Sequence, residues 1–227
     1  MKNKFIILTG TLLFAFSHLF AQNFEGTITM NMFTADKNER SNIVWKMKNG
    51  NNRMEYTGSQ NDKPYSYVFI FNNNETKVKI LTETNGQKMV YTSNMPPSNV
   101  DKGMYYDHSY TSSNKLIDKY HAEQVTLKAA DKRTTCWVSK DVPVTIEMLP
   151  GMLKANGVLT YFLTQKLQGF PMEIESFSSD GKLIMSQKMT SVKPGAISDN
   201  EFVVGSEYLD PAKVMKVQQA PAPAPQK

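Results

Sequence analysis

Apolar and polar residues alternate with a period of two along much of this chain, the pattern of β-strands that bury one face and wet the other. Phe24, Gly26, Ile28, Met30 and Met32 alternate with Glu25, Thr27, Thr29 and Asn31. Ile43, Trp45 and Met47 repeat the pattern, and an Asn49-Gly50 turn returns the chain through Asn52, Met54 and Tyr56. Two-residue hairpin turns demand positive φ angles that Gly, Asn and Asp tolerate best, so counting outward from this turn predicts a register. Trp45 falls opposite Met54 and Ile43 opposite Tyr56. Lys46, Lys48, Arg53 and Glu55 take the other face, which reads as solvated.

Two further glycine turns give matching answers. Strands are predicted at Tyr65–Phe71 and, after the polar Asn72-Asn73-Asn74, at Lys77–Thr82. Asn85-Gly86 then sets Glu83 against Lys88, Leu81 against Val90 and Ile80 against Tyr91. Asp180-Gly181 predicts Phe177 opposite Ile184, Glu175 opposite Ser186, Glu173 opposite Lys188 and Met172 opposite Met189. That hairpin has one face led by Met172, Ile174, Leu183, Met185 and Met189, and a second carrying Glu173, Glu175, Ser186 and Lys188. Burial decides its register, since each apolar side chain buried contributes roughly 1.5–3 kcal/mol, against about 0.2–1 kcal/mol for a cross-strand ion pair. Local turn chemistry and face pattern agree three times over, which predicts an antiparallel meander.

The alternation lapses in two places. Met95–Asn114, with Pro96-Pro97, Gly103 and three tyrosines, reads as an irregular surface loop or a flap, after which strands resume at Lys119–Lys128. A strand at Thr134–Ser139 follows. Leu149–Leu167 carries Leu159, Leu163 and Leu167 at i, i+4 and i+8 beside Val158 and Phe162, one face of a helix that Asn156-Gly157 delays and Gly169-Phe170-Pro171 ends. A last strand is predicted at Glu201–Val204.

The basic start Lys2-Asn3-Lys4, the apolar run to Phe20 and the small Ala21 describe a secretory signal peptide over residues 1–21. Its removal leaves 206 residues, enough for one domain over 22–210, with a flexible Ala/Pro tail over 211–227. No cysteine follows the cleavage point, so lipoprotein attachment is excluded, and no transmembrane span remains. The protein is thus expected in the periplasm or outside the cell. Loss of Lys2 and Lys4 lowers the net charge from +5 to +3, and no basic run interleaved with aromatics signals nucleic acid.

Little in the remainder supports catalysis. The mature chain keeps His108 and His121 only, with no zinc spacing, phosphate-binding glycine loop or nucleophile elbow, so neither enzyme nor cofactor is expected. Glu173 and Glu175 lie on one strand face opposite Ser186 and Lys188, as any solvated pair would. Cys136, the single cysteine, sits beside Trp137 on a predicted strand and reads as a buried, inert thiol. Methionine is what stands out, with thirteen after the leader. Flexible and polarisable, Met lines surfaces that accept variable apolar partners. Met30, Met32, Trp45, Met54, Phe162, Met172, Ile174, Met185 and Met189 are therefore the candidate ligand-binding residues. Composition alone leaves open whether they line a cavity or fill a core.

The order of several short motifs resembles a family of secreted Gram-negative proteins known as domain of unknown function 4412. They are Phe24-Glu-Gly-Thr-Ile28, Lys48-Asn-Gly-Asn-Asn-Arg53-Met-Glu55, Lys115-Leu-Ile-Asp-Lys-Tyr120, Trp137-Val-Ser-Lys-Asp141, Gly169-Phe-Pro-Met172 and Phe202-Val-Val-Gly-Ser-Glu-Tyr208. The chain departs at Tyr120-His121-Ala122, where the family commonly has Gly before the Tyr and a Cys after the next residue. The resemblance implies a mainly β (α+β) half-barrel like the periplasmic lipoprotein carriers, a curved sheet with one or two helices on its concave face around an apolar cavity. It supplies no catalytic residues. The function expected is non-enzymatic binding of a lipid, acyl chain or lipoprotein segment; the alternative is an envelope structural or interaction protein with a filled core.

Overall fold

The computed structural model describes residues 24–84, 86–95, 105–149 and 157–211; the predicted signal peptide and the tail beyond Pro211 lie outside them. Six strands form a first meander: β1 (Gly26–Thr34), β2 (Glu39–Lys48), β3 (Asn51–Gln60), β4 (Lys63–Asn72), β5 (Lys77–Thr84) and β6 (Gln87–Asn94). Five form a second: β7 (Asp107–Ile117), β8 (Tyr120–Lys128), β9 (Lys132–Ser139), β10 (Phe170–Ser178) and β11 (Leu183–Pro194). β1 pairs with β11, so the two meanders make one eleven-stranded antiparallel sheet in the order β6-β5-β4-β3-β2-β1-β11-β10-β9-β8-β7. It ends at β6 and β7 without closing and is a curved, mainly β half-barrel. Among the described residues one α-helix, α1 (Gly157–Gln165), packs on the inner face, preceded by the short 3₁₀ helix η1 (Ile146–Met148). No described helix is long and apolar enough to cross a membrane.

The register follows turn chemistry. Asn49 and Gly50 take φ of 49° and 78°, and the predicted Trp45–Met54 and Ile43–Tyr56 pairs form. The hairpin at Gly86 pairs Glu83 with Lys88 and Leu81 with Val90, also as predicted. The Asp180-Gly181 hairpin differs. Its Ser178 N–H bonds to Lys182 O and Gly181 N–H to Ser178 O, which makes a three-residue loop with Gly181 alone at positive φ (82°). Phe177 therefore pairs with Leu183, not Ile184; a bulge at Ile184 then restores Glu175 opposite Ser186 and Glu173 opposite Lys188. One extra loop residue and one extra strand residue cancel.

Three predicted elements are corrected. Part of the supposed loop is strand: Asp107–Asn114 belongs to β7, whose exposed edge position removes the apolar alternation that would have revealed it, while 96–104 lie outside the described residues. The helix begins at Gly157, the delay that Asn156-Gly157 predicts, but its buried side chains are Val158, Leu159, Thr160, Tyr161 and Phe162, with Leu163 and Leu167 only at the margin. Glu201–Val204 is not a strand. Asp199–Phe202 forms a 3₁₀ helix, η2, because the chain has left the sheet by then and Ser198 caps it by accepting from the Asn200 N–H.

One core spans the inner face. Ile28 stands between Trp45 and Val192, and Met30 between Ile43 and Met189, so β1 joins the apolar rows of both meanders. Polar groups inside it are paired. Trp45 Nε1 donates to Asn52 Oδ1 at 3.0 Å, and Asn52 Nδ2 donates to Gly50 O and Asn73 Oδ1. The Tyr105 and Ser176 hydroxyls both meet Thr134 Oγ1, at 2.9 and 2.8 Å.

The outer face is not the solvated surface predicted. After β11 the chain crosses it as a strap, Gly195–Leu209, that begins with Gly195 N–H and Ile197 N–H bonded to Glu25. Lys48 holds Asp199 at 2.8 Å and Lys46 holds Glu201 at 2.8 Å. Arg53 binds Glu55 at 2.7 Å and donates to Glu201 O. The strap ends against the β6 edge, where Leu209 exchanges backbone bonds with Lys88 and Val90. Between these anchors Ile70 and Leu81 are buried, outside the main core. Lys46, Lys48 and Arg53 read as solvated only because partners of theirs lie some 150 residues away, as with Lys46 and Glu201 (sequence separation 155), while Glu55 is held by Arg53 and Lys46 beneath them. Glu173 is also buried, between Lys115 at 2.9 Å and Lys188 at 3.5 Å, with Lys115 lying over the Trp137 ring.

Candidate functional site

β9 ends at Ser139, and the chain swings outward through Val142-Pro143-Val144 into η1 before α1 returns. Val142, Val144 and Ile146 turn inward and are buried against the helix. The connection does not seal the helix end. A cleft of about 410 Å³ runs between it and α1, floored by Phe162 and walled by Val144, Ile146, Leu163 and Leu167. That volume falls in the range of small-molecule sites, roughly 300–1,000 Å³.

Lys140 and Lys166 stand among the residues that line this cleft. Lys140 reaches Glu123 at 3.4 Å with both side chains more than half exposed, a weak tie. Lys166 is fixed by the helix terminus: Leu167 N–H bonds to Phe162 O and Lys166 N–H to Leu163 O, the bonds of a Schellman cap. Such a cap places its C′ residue in the left-handed region, and Lys166 has φ 54°. Glycine is usual there because a side chain costs roughly 1–2 kcal/mol. Here a lysine occupies it, and its ammonium is exposed beside an apolar cleft. The arrangement suits an apolar chain with an anionic end.

Catalytic chemistry is poorly served. His108 Nδ1 lies 3.1 Å from the Tyr161 hydroxyl, but burial and then the Asp107 charge push that phenol above its ordinary range, so it stays protonated. Burial alone drives the Cys136 thiol far up, and its side chain is fully enclosed. Among the described residues no group of three His, Cys, Asp or Glu side chains could hold a metal.

All nine predicted ligand residues lie in or against the one core. Trp45, Met54, Phe162, Met172, Ile174 and Met189 are at most 2% exposed and Met30 5%, whereas Met32 and Met185 are partly buried at its edge. Phe162 is the one that lines the cleft. Sequence reasoning missed Val144, Ile146, Lys140 and Lys166. The Val142-Pro-Val144 alternation was a usable signal, but nothing local marks either lysine.

A family model described as domain of unknown function (DUF4412) matches residues 24–208, and the chain belongs to that family. No curated protein matches it. Among solved structures it is similar to MucB, at 13% identity over 82% of this chain and 58% of that one, with a TM-score of 0.44. MucB in complex with MucA(peri) is alike at 13% identity, over 83% and 57% of the two chains, TM-score 0.43. A putative outer membrane lipoprotein-sorting protein domain from Vibrio parahaemolyticus is similar at 8% identity, over 80% and 89%, TM-score 0.28. The chain thus spans less than two thirds of the MucB length.

Proposed function

We propose that this member of the DUF4412 family is a non-enzymatic periplasmic or secreted protein that holds an acyl chain, as a free lipid or on a lipoprotein segment, against the inner face of its half-barrel. The observation that carries this reading is the cleft beside α1, where apolar side chains such as Phe162, Leu163 and Leu167 stand beside Lys140 and Lys166. Phe162 is its floor, and the surface beneath the helix, with Met30, Met54, Met172, Ile174 and Met189, supplies adaptable side chains that can yield as a chain enters. Trp45 closes that surface, and Met32 and Met185 flank it. Lys166 and Lys140 would meet a carboxylate or phosphate at the chain's end.

A second reading, an envelope interaction protein with a filled core, is favoured by the near-complete burial of seven of the nine residues. Native mass spectrometry of protein purified from the periplasm, with uptake of a fluorescent fatty acid, separates the two. The lipid reading expects a co-purifying lipid, and loss of uptake in Leu163→Glu with little change in Tm, since Leu163 is only half-buried at the cleft wall. A lipid-free protein that takes up no fatty acid would establish the second.

A further inference from the structure

The outer face carries a second hollow, of about 810 Å³, where β11, β1, β2 and β3 lie side by side. The register arranges its side chains in two rows across those strands. Lys188, Asn31, Asn42 and Thr57 form one, and Ser186, Phe33, Arg40 and Ser59 the other. Close strand approach shapes it: a Cβ at Gly58 would come within 2.1 Å of Arg40 O, so only glycine lets β3 lie so near β2.

The chemistry of this hollow is specific. Asn42 Nδ2 donates to Asn31 Oδ1 at 3.0 Å, which fixes both amides and leaves an Asn31 N–H donor beside an Asn42 carbonyl acceptor. Hydroxyls of Thr57, Ser59 and Ser186 surround them. The Arg40 guanidinium rests over the Phe33 ring at 5.6 Å and, among the described residues, pairs with no carboxylate. No acid lines the hollow. The nearest along the rows are Glu173 and Glu175, one strand beyond, and Glu173 is already held by Lys115 and Lys188.

We propose that this hollow is a binding site for an anionic saccharide, a sugar chain bearing carboxylates. Paired donors and acceptors beside hydroxyls match vicinal sugar hydroxyls, and a guanidinium without an acid partner matches a carboxylate. Every group sits inside a strand hydrogen-bonded on both sides or in an adjoining one, so binding orders little that is not already ordered. A protein partner is disfavoured, because Met32 and Phe33 are the large apolar side chains of the lining and the Arg40 guanidinium lies over the Phe33 ring. The site shares no residue with the cleft beside α1 and does not depend on the lipid reading.

Isothermal titration of the mature protein with tetragalacturonate tests this, with maltotetraose and sodium acetate as comparison probes. Binding of tetragalacturonate alone is expected, weakened about tenfold or more in Arg40→Ala and several-fold in Asn42→Ala. Tm and fatty-acid uptake should stay unchanged in both variants. Lys77→Ala, exposed on β5 away from the hollow, should bind as the parent does. No binding of tetragalacturonate, equal binding of maltotetraose or acetate, or affinity indifferent to Arg40→Ala would overturn the proposal.

Discussion

On the inner face of the sheet, Ile28, Met30, Trp45 and Met54 run without a break into Met172, Ile174 and Met189, and a nine-residue helix with the connection before it joins the same core. On the outer face, Ile70 and Leu81 are just as dry, yet their cover is a returning strap pinned by Lys46, Lys48 and Arg53. The difference teaches that alternation reports which residues share a face, not what lies on it. An inner residue is buried by its neighbours in the sheet and one helix. On the outer face Ile70 and Leu81 are buried where distant chain crosses, and Glu173 where Lys115 and Lys188 close over it.

The sharpest break of this contrast is Met189→Glu. At 1% exposure an unpaired carboxylate there is expected to cost several kcal/mol, a large part of the ~5–15 kcal/mol that holds a domain. The variant should fail to accumulate or unfold in low urea; a well-folded Met189→Glu would show that water reaches the inner face. Next comes Leu81→Ala beneath the strap, which should lose about 2–5 kcal/mol in urea unfolding if the outer face holds a true second core. A loss near that of a surface substitution, within ~0.5 kcal/mol, would show that the strap leaves it wet.

A smaller effect separates two carboxylates on one strand. Glu173→Gln removes a charge that Lys115 and Lys188 both approach and should cost about 1–3 kcal/mol. Glu175→Gln, with no ion pair among the described residues, should change stability by no more than about 0.5 kcal/mol. Equal losses would mean that the Lys115 and Lys188 contacts do not set Glu173 apart from Glu175.

The smallest effect is beneath the strap, among the charges of β2 and β3 that it lies on. Burial raises the Glu55 carboxyl, but its hydrogen bond to Arg53 and the Arg53 and Lys46 charges outweigh that and hold it below its ordinary 4.5. A carboxyl lowered on folding contributes fully above its unfolded value and loses that contribution as pH falls through the folded one. Lys48 is raised above 10.5, chiefly by Asp199, so its contribution is complete below 10.5 and is lost at higher pH. Hydrogen exchange read as a protection factor at the Val90 amide, which bonds to Leu209 O, should therefore fall below about pH 4.5 while Ile28 keeps its protection. Loss at both amides together would mean that strap and core open as one unit.

Much of this architecture is written locally. Trp45 opposite Met54 follows from the Asn49-Gly50 turn, because positive φ at two adjacent residues is a property of those residues alone, and Leu81 stands opposite Val90 as the next Asn-Gly pair predicts. Even the Asp180-Gly181 hairpin, wrong by one residue at its tip, came right from Ser176 outward because a bulge offset the loop. What the pattern hid was β7, since an exposed edge strand needs no apolar face, and η2, since its Glu201 and Asp199 answer to lysines on β2. The cleft was half legible. Leu163 and Leu167 announced a helix face, but Lys166 became a cleft residue only through a cap whose bonds lie in the folded helix end.

Alternation, turn residues and methionine content determined by themselves an antiparallel meander with one apolar face, since strand period and turn φ are set within a few residues. Tertiary structure alone decided that β1 joins β11 and unites two meanders, that a strap dries part of the outer face, and that two rows of mainly polar side chains flank a hollow there. Each of these depends on contacts between residues far apart in the chain, such as Glu25 with Ile197 or Asn31 with Lys188. The free energy of such contacts belongs to the assembled sheet, and no window of neighbouring residues contains it.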